Sequence, residues 1–212
     1  MTGRTVNPGR FISLEGGEGV GKSTQVHALA KALTERGIAV VVTREPGGSP
    51  GAEAIRELLL SGSDDRWGAR AEALLFAAAR ADHVERTIRP ALKAGKWVLS
   101  DRFVDSSLAY QGGAGGLGIE AVRAINAFGI EGCFPDRTLV LVADDGAERA
   151  RSRDDGKGDR IGGRPDDYHR KVEAAFRLIA GEEPERVRLV DASGAADAVT
   201  ERLLAALADL LP

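Results

Sequence analysis

Gly16-Gly17-Glu18-Gly19-Val20-Gly21-Lys22-Ser23 puts four residues between two glycines and follows them with Lys-Ser, with Thr24 next. This is the spacing of a phosphate-binding loop (P-loop). Glycines open backbone conformations closed to residues with a Cβ, so successive N–H groups can turn into one concavity. A helix starting at Lys22 adds a favourable field for an anion at its N-terminus. In such a loop Lys22 reaches the β- and γ-phosphates of a nucleotide, and the Ser23 hydroxyl completes the shell of a bound Mg²⁺. As an ATP site the stretch comprises Gly16, Gly17, Glu18, Gly19, Val20, Gly21, Lys22, Ser23 and Thr24. A glycine-rich turn that happens to carry Lys-Ser is the alternative; a strand before and a helix after argue against it.

Other residues could hold a phosphoryl acceptor. Phe76 and Arg80 lie four apart on a predicted helix and share a face. A ring there can stack on a base while the guanidinium meets its edge. Arginine only donates hydrogen bonds, so it suits a base with a carbonyl at position 4, such as thymine, and rejects cytosine, whose amino group is a donor. The other reading makes Phe76 core, flanked by Leu74, Leu75 and Ala77 to Ala79. Asp101-Arg102 closes a predicted strand, where an acid can serve Mg²⁺ and an arginine a phosphate, or the two can form a structural ion pair. Arg44, in Thr43-Arg44-Glu45-Pro46-Gly47-Gly48, suits a phosphate or plain solvent. Ser106, Ser107, Tyr110 and Gln111 cluster polar groups where packing does not call for them. Finally, residues 148–164 hold Arg149, Arg151, Arg153, Arg160 and Arg164. They are too polar for core and suit a lid, since arginines closing over a transferred phosphoryl stabilise its charge and expel water. A solvated charged face is the alternative.

The elements that must position these groups follow from hydrophobic pattern and turn residues. Strands are expected at 11–14, 38–42, 97–101, 138–143 and 187–190, and helices at 22–35, 52–60, 69–81, 82–92, 119–128, 166–180 and 195–211. Pro90 is tolerated only near a boundary or kink. Residues 105–118 begin helical and dissolve into glycines. Within them, 113–118 matches the spacing of a dinucleotide fingerprint but does not directly follow a strand, and is read as a flexible loop. Strands alternating with helices indicate an α/β protein with a doubly wound parallel sheet, whose ligands gather at the carboxyl ends of the strands. The Pro46, Asp101 and Asp144 regions lie at such ends. The expected fold is a three-layer P-loop NTPase fold: a five-stranded parallel sheet flanked by helices, with an Arg-rich lid at about 145–165. Residues 1–10 read as a disordered tail and 11–212 as one domain.

Composition narrows the class. Hydrophobic residues make up 43% and the formal net charge is −3, which argues against a sequence-independent nucleic-acid binder. Cys133 is the only cysteine, so no intramolecular disulfide or Cys-rich metal site can form. His27, His83 and His169 show no ligand spacing and read as surface or packing residues. No stretch is apolar enough to span a membrane, and the cytoplasm is the expected location. GTP switches need Asn-Lys-x-Asp, and neither Asn7 nor Asn126 sits in one. A small kinase moving a phosphoryl group between nucleotides remains, needing a second pocket facing the P-loop and a cationic lid.

Five stretches in order carry a resemblance: Glu15 to Thr24, Thr43 to Gly48, Leu75 to His83, Ser100 to Phe103 and Asp105 to Gly112. Together they resemble bacterial thymidylate kinase, of the nucleoside monophosphate kinase group, over nearly the whole chain from Phe11. The resemblance implies transfer of the γ-phosphoryl of ATP to dTMP, giving dTDP and ADP with Mg²⁺. It implies that Phe76 stacks on thymine, Arg80 bonds its O4, and Arg102 with Arg44 holds the acceptor phosphate. Asp101 would assist the metal side, and Glu18 would bond the 3′-hydroxyl. Tyr110 would crowd the 2′-position, and Ser106 and Ser107 would line the pocket. Ser107 stands where some relatives carry Asn or Thr. Gly17, Glu18, Gly19 and Val20 put no basic residue inside the loop, so the catalytic arginine should come from the lid, with Arg153 and Arg160 as candidates beside Lys22 and Arg102. No general base is needed, because the acceptor phosphate is already a nucleophile. A homodimer through the helical face is implied as well. A kinase for another nucleoside monophosphate, or a P-loop regulator without an acceptor, are the other readings.

Overall fold

The computed structural model describes residues 8–63, 65–143 and 160–212. Five parallel strands, β1 (Phe11–Gly16), β2 (Val40–Arg44), β3 (Trp97–Asp101), β4 (Arg137–Val142) and β5 (Val187–Asp191), lie in the order β2-β3-β1-β4-β5. Around them run α1 (Lys22–Glu35), α2 (Pro50–Leu60), α3 (Ala69–His83), α4 (Arg89–Lys93), α5 (Val104–Ser107), α6 (Ile119–Ile130), α7 (Asp166–Glu182) and α8 (Ala196–Ala205). Central β1 is buried along its whole length. That is why its sequence reads as a continuous apolar run rather than an alternation. Ile12 and Leu14 face a layer built by α1 and α8, with Leu29, Leu33 and Leu203. On the other face, Val122 of α6 and Val172 and Phe176 of α7 pack with Leu108 and Val140. Phe11 meets Phe103 edge to face at 4.8 Å beside them.

The expected three-layer parallel architecture is present, and the shifted boundaries have physical reasons. β2 extends to Arg44 because it pairs with β3 up to Arg44 opposite Asp101, which brings both residues to the carboxyl edge. Residues 82–92 do not begin a separate helix. Instead α3 passes through one wide π turn, Val84–Ile88, into α4. That turn directly precedes Pro90, which has no N–H for an α-helical ladder and would clash with the carbonyl one turn back. Likewise α5 continues as a π turn over Leu108–Ala114, so Gly112 and Gly113 are helical rather than loop. A Cβ on Gly113 would lie 2.7 Å from the Ala175 Cβ. Glycine there permits close approach to α7. Arg10, read as tail, is tied to Asp136 at 2.8 Å; residues 1–7 lie outside the described residues.

Beneath the carboxyl edge, fully buried Asp105 accepts hydrogen bonds from Thr138 Oγ1 at 2.9 Å and from both terminal nitrogens of Arg186 at 2.7 and 2.8 Å. α5 is thereby pinned to β4 and to the chain entering β5. Arg186→Met would leave a buried carboxylate without its cation, a change that costs about 3–5 kcal/mol. We expect urea unfolding to show that loss. Lys171→Met, which breaks the exposed and solvent-screened pair with Asp167, should leave the midpoint almost unchanged. Equal midpoints for the two variants would contradict this account of Asp105.

Candidate active site

Where β1 ends, Gly16 turns the chain at φ +131°, and a Cβ there would meet the Leu141 carbonyl at 2.4 Å. The loop then bends back so that α1 starts at Lys22. The Lys22 ammonium is buried and donates to the Gly17 carbonyl at 2.5 Å. Burial, with Arg102 nearby, pulls its pKa down to about 8, against the pull of Glu18, Asp101 and Glu15. Ser23 donates to Asp101 Oδ2 at 2.6 Å, so the loop helix and the end of β3 meet through a hydroxyl and a carboxylate.

Arg102 follows immediately with φ +71°, a left-handed conformation that is costly for a residue with a Cβ. That turn sends its side chain back across the loop. Nη2 meets Glu18 Oε1 at 2.6 Å, and Nη1 donates to the Gly16 carbonyl and to Ser106 Oγ, both at 3.1 Å. The guanidinium lies 5.0 Å from the centre of the Tyr110 ring, whose hydroxyl donates to Glu18 at 3.0 Å. Arg102 holds the Glu18 carboxyl down at about 2. In the other direction burial opposes the charge on Arg102, but Glu18 foremost outweighs it and raises its pKa. Burial pushes the Tyr110 phenol up.

A cavity of about 380 Å³ opens from this cluster, lined among others by Lys22, Arg44, Phe76, Arg80, Ser107 and Gln111. Phe76 is half-buried and faces it rather than being wholly core. Arg80 is 2% exposed, and its donors are engaged by the protein. Nε meets Glu45 Oε2 at 2.8 Å, Nη1 meets Ser107 Oγ at 3.0 Å and also Asn126 Oδ1, and Nη2 meets the Phe103 carbonyl at 3.1 Å. Arg44 sits at the rim, paired with Glu53 at 3.3 Å and largely exposed. Thus the structure gathers Glu18, Arg102, Ser106 and Tyr110 into one cluster. It bonds Arg80 to Ser107, sets Phe76 one helical turn before Arg80 on the same cavity lining, and leaves Arg44 paired outward with Glu53.

Several residues of the site had no role assigned from sequence. Glu45 bridges Arg80 and His83, whose Nδ1 lies 3.0 Å from Oε1 and whose Nε2 lies 2.7 Å from Thr43 Oγ1. Glu72 is 3% exposed and takes Arg160 at 2.6 Å, Arg164 at 2.7 Å and the Gln111 amide at 2.9 Å. The one available signal was helical: Glu72, Phe76 and Arg80 recur every four residues along α3. The view of residues 148–164 as too polar for core fails at its end. Arg160 is 5% and Ile161 7% exposed, because Glu72 and the Leu59 carbonyl (3.0 Å from Arg160 Nε) satisfy the guanidinium while Ile161 joins the apolar cluster under α7. Arg149, Arg151 and Arg153 lie outside the described residues.

The family model described as thymidylate kinase matches residues 14–203. A thymidylate kinase from Rhizorhabdus wittichii is 62% identical over 97% of this chain and 100% of its own length. One from a Bradyrhizobium species is 48% identical over 94% of this chain and 93% of its own. The crystal structure of thymidylate kinase from Ehrlichia chaffeensis superimposes with a TM-score of 0.78 at 32% identity, over 94% of this chain and 100% of that one. With so high an identity along nearly its whole length, the chain belongs to the thymidylate kinase family.

Proposed function

We propose an assignment of roles for the reaction that family membership gives this chain, the ATP-dependent phosphorylation of dTMP in dTDP biosynthesis. The observation that carries it is the single cavity running from the phosphate loop to Phe76 and Arg80. ATP lies along residues 16–24, its β- and γ-phosphates taking the place of the Gly17 carbonyl as partners of Lys22. The thymine ring stacks on Phe76 with O4 toward Arg80, and its phosphate meets Arg102, with Arg44 at the rim. Glu18 and Tyr110 face the sugar, and Ser106 and Ser107 line the same wall. An acceptor oxygen forms the new bond to Pγ in line with the breaking bond to the β-phosphate oxygen, and ADP leaves with that electron pair. Arg160, with Arg153, is assigned to the closing arginines.

The hydroxyl of Ser23 and the carboxylate of Asp101, 2.6 Å apart at the loop's mouth, are hard oxygen donors of the kind Mg²⁺ takes alongside substrate phosphates. When bound there it neutralises phosphate charge. Residues 11–212 act as one catalytic domain, and a cytoplasmic homodimer is proposed through the face of α3 and α6. There Leu74 is 57% and Phe128 90% exposed. Among the described residues no helix is long and apolar enough to cross a membrane.

Lys22→Ala should abolish turnover without unfolding the protein; undiminished ADP release would refute the loop assignment. ADP release with dTMP, dUMP, dCMP, dAMP and dGMP offered separately tests the base pocket, with dTMP expected to be strongly preferred over dCMP. In Arg80→Met that preference should shrink by about 1–3 kcal/mol, the worth of one specific base contact. An equal loss for every acceptor would reduce Arg80 to a structural role. Phe128→Glu should shift the mass seen in light scattering from dimer to monomer, and an unchanged mass would move the interface elsewhere.

A further inference from the structure

Four carboxylates are buried among the described residues: Glu15, Glu45, Glu72 and Asp105. Glu45 has Arg80, Glu72 has Arg160 and Arg164, and Asp105 has Arg186 in direct ion-pair contact. Glu15 alone has no such cation. Its partners are the Phe103 N–H, 2.7 Å from Oε1, and the Ser106 hydroxyl, 2.5 Å from Oε2. An isolated ionised carboxylate out of water is costly enough that such groups neutralise instead. The charges around it act in both directions. Asp105 on α5 disfavours its ionisation, while Arg102 from the turn before α5 and Lys22 at the start of α1 favour it. Burial first and Asp105 second prevail, and the carboxyl is pushed up to about 8.

Glu15 holds the chain that leaves the Arg102 turn, and its neighbour Leu14 holds the turn itself. Phe103, whose N–H it accepts, is joined to Arg102, and Arg102 N–H itself bonds the carbonyl of Leu14, the residue before Glu15, at 2.9 Å. Ser106, its other partner, accepts from the Arg102 guanidinium at 3.1 Å. We propose that Glu15 is a positioning residue for the acceptor phosphate: as a neutral carboxylic acid it fixes the strained turn at Arg102 and donates its own proton to Ser106 Oγ, leaving the Ser106 O–H for the acceptor. A serine hydroxyl has two lone pairs and one proton. Neutral Glu15 and Arg102 fill the lone pairs, and the proton turns into the cavity that Ser106 lines. Ionised Glu15 must instead receive that proton's hydrogen bond, and the cavity loses a donor. This rests on reading Arg102 as the phosphate ligand.

The test uses the full-length protein, with thermal unfolding and calorimetric dTMP binding followed from about pH 5 to about pH 9. Glu15→Gln keeps an acceptor for Phe103 N–H and a permanent donor for Ser106. A group whose folded pKa lies above its unfolded 4.5 takes up a proton on folding, so the wild type loses stability relative to Glu15→Gln as pH rises from about 4.5, and the difference levels off above about 8. Over the same upper range dTMP affinity should fall in the wild type and hold in Glu15→Gln. Glu15→Leu should weaken dTMP binding by about tenfold at neutral pH and leave ATP binding within about twofold. A stability difference flat across the range means that Glu15 is already ionised and overturns the proposal. Unchanged dTMP affinity in Glu15→Leu overturns it too, provided Arg102→Met weakens dTMP binding. If Arg102→Met leaves dTMP binding intact, it is the phosphate reading that falls.

Discussion

The ion pair between Arg102 and Glu18 joins the glycine-rich loop to the end of β3 and fixes that wall of the cavity. The two follow the ends of neighbouring strands, 84 residues apart in sequence. Arg102 reaches Glu18 only because its backbone adopts φ +71° and turns the side chain back over the loop. Held at 2.6 Å, Arg102 keeps the Glu18 carboxylate ionised, and Glu18 offsets the cost of partly burying the guanidinium. Tyr110 completes the cluster, its ring under the guanidinium and its hydroxyl on the carboxylate. In the proposed mechanism this pair stores a cation that is neutralised until an acceptor arrives. A dianionic phosphate then competes with a single negative charge for the same donors. The loop carboxylate released in the exchange is where the sugar hydroxyl would lie.

Deeper in the cavity the same rule is applied more strictly. Arg80 sits almost wholly out of water, where a lone guanidinium would be prohibitively costly. Its planar fork is matched arm by arm, to Glu45, Ser107, Asn126 and the Phe103 carbonyl. A lysine could not satisfy this geometry, because its donors radiate from one point. Glu45 is itself oriented from behind by His83, and His83 by Thr43 at the end of β2. The cavity around Arg80 is therefore polar yet rigid: every charged group there has few positions in which all its neighbours remain satisfied. In the proposed mechanism, a base recognised at Arg80 shares donors already in use, which favours a ligand whose carbonyl fits without displacing the carboxylate.

How much of this could be read from sequence depends on the range of the interaction. The β1–loop–α1 unit was legible because its signals are local: an apolar run, glycines at fixed offsets, then a helical period ending at Glu35 as expected. Phe76 and Arg80 were legible as a pair because helical spacing is also local. Glu45 and His83 were not assigned, although both lay inside quoted motifs, because they acquire meaning only from each other across 38 residues. The turns at 84–88 and 108–114 were hidden for another reason. Glycine and proline announce that a regular helix is interrupted, but not that it continues in a wider form. Gly113 looked like flexibility and is instead a point of close packing against Ala175.

Arg160 carries that lesson into the chemistry. A run of arginines reads as solvated surface or mobile clamp because composition counts charges without their partners. Glu72, 88 residues earlier, accepts Arg160 and Arg164 together and leaves its other oxygen for the Gln111 amide. One carboxylate on α3 thus fastens residues 160–164 against the cavity and holds a side chain that lines it. Arg164 also lies 4.6 Å over the Tyr168 ring, and the Tyr168 hydroxyl donates to the Tyr110 carbonyl at 2.7 Å, so the fastening extends to the residue beneath Arg102. An arginine that spans Leu59 and Glu72 is held firmly against the cavity wall. In the proposed mechanism its contribution to transfer comes through closing the acceptor half, by excluding water and fixing the groups around the acceptor.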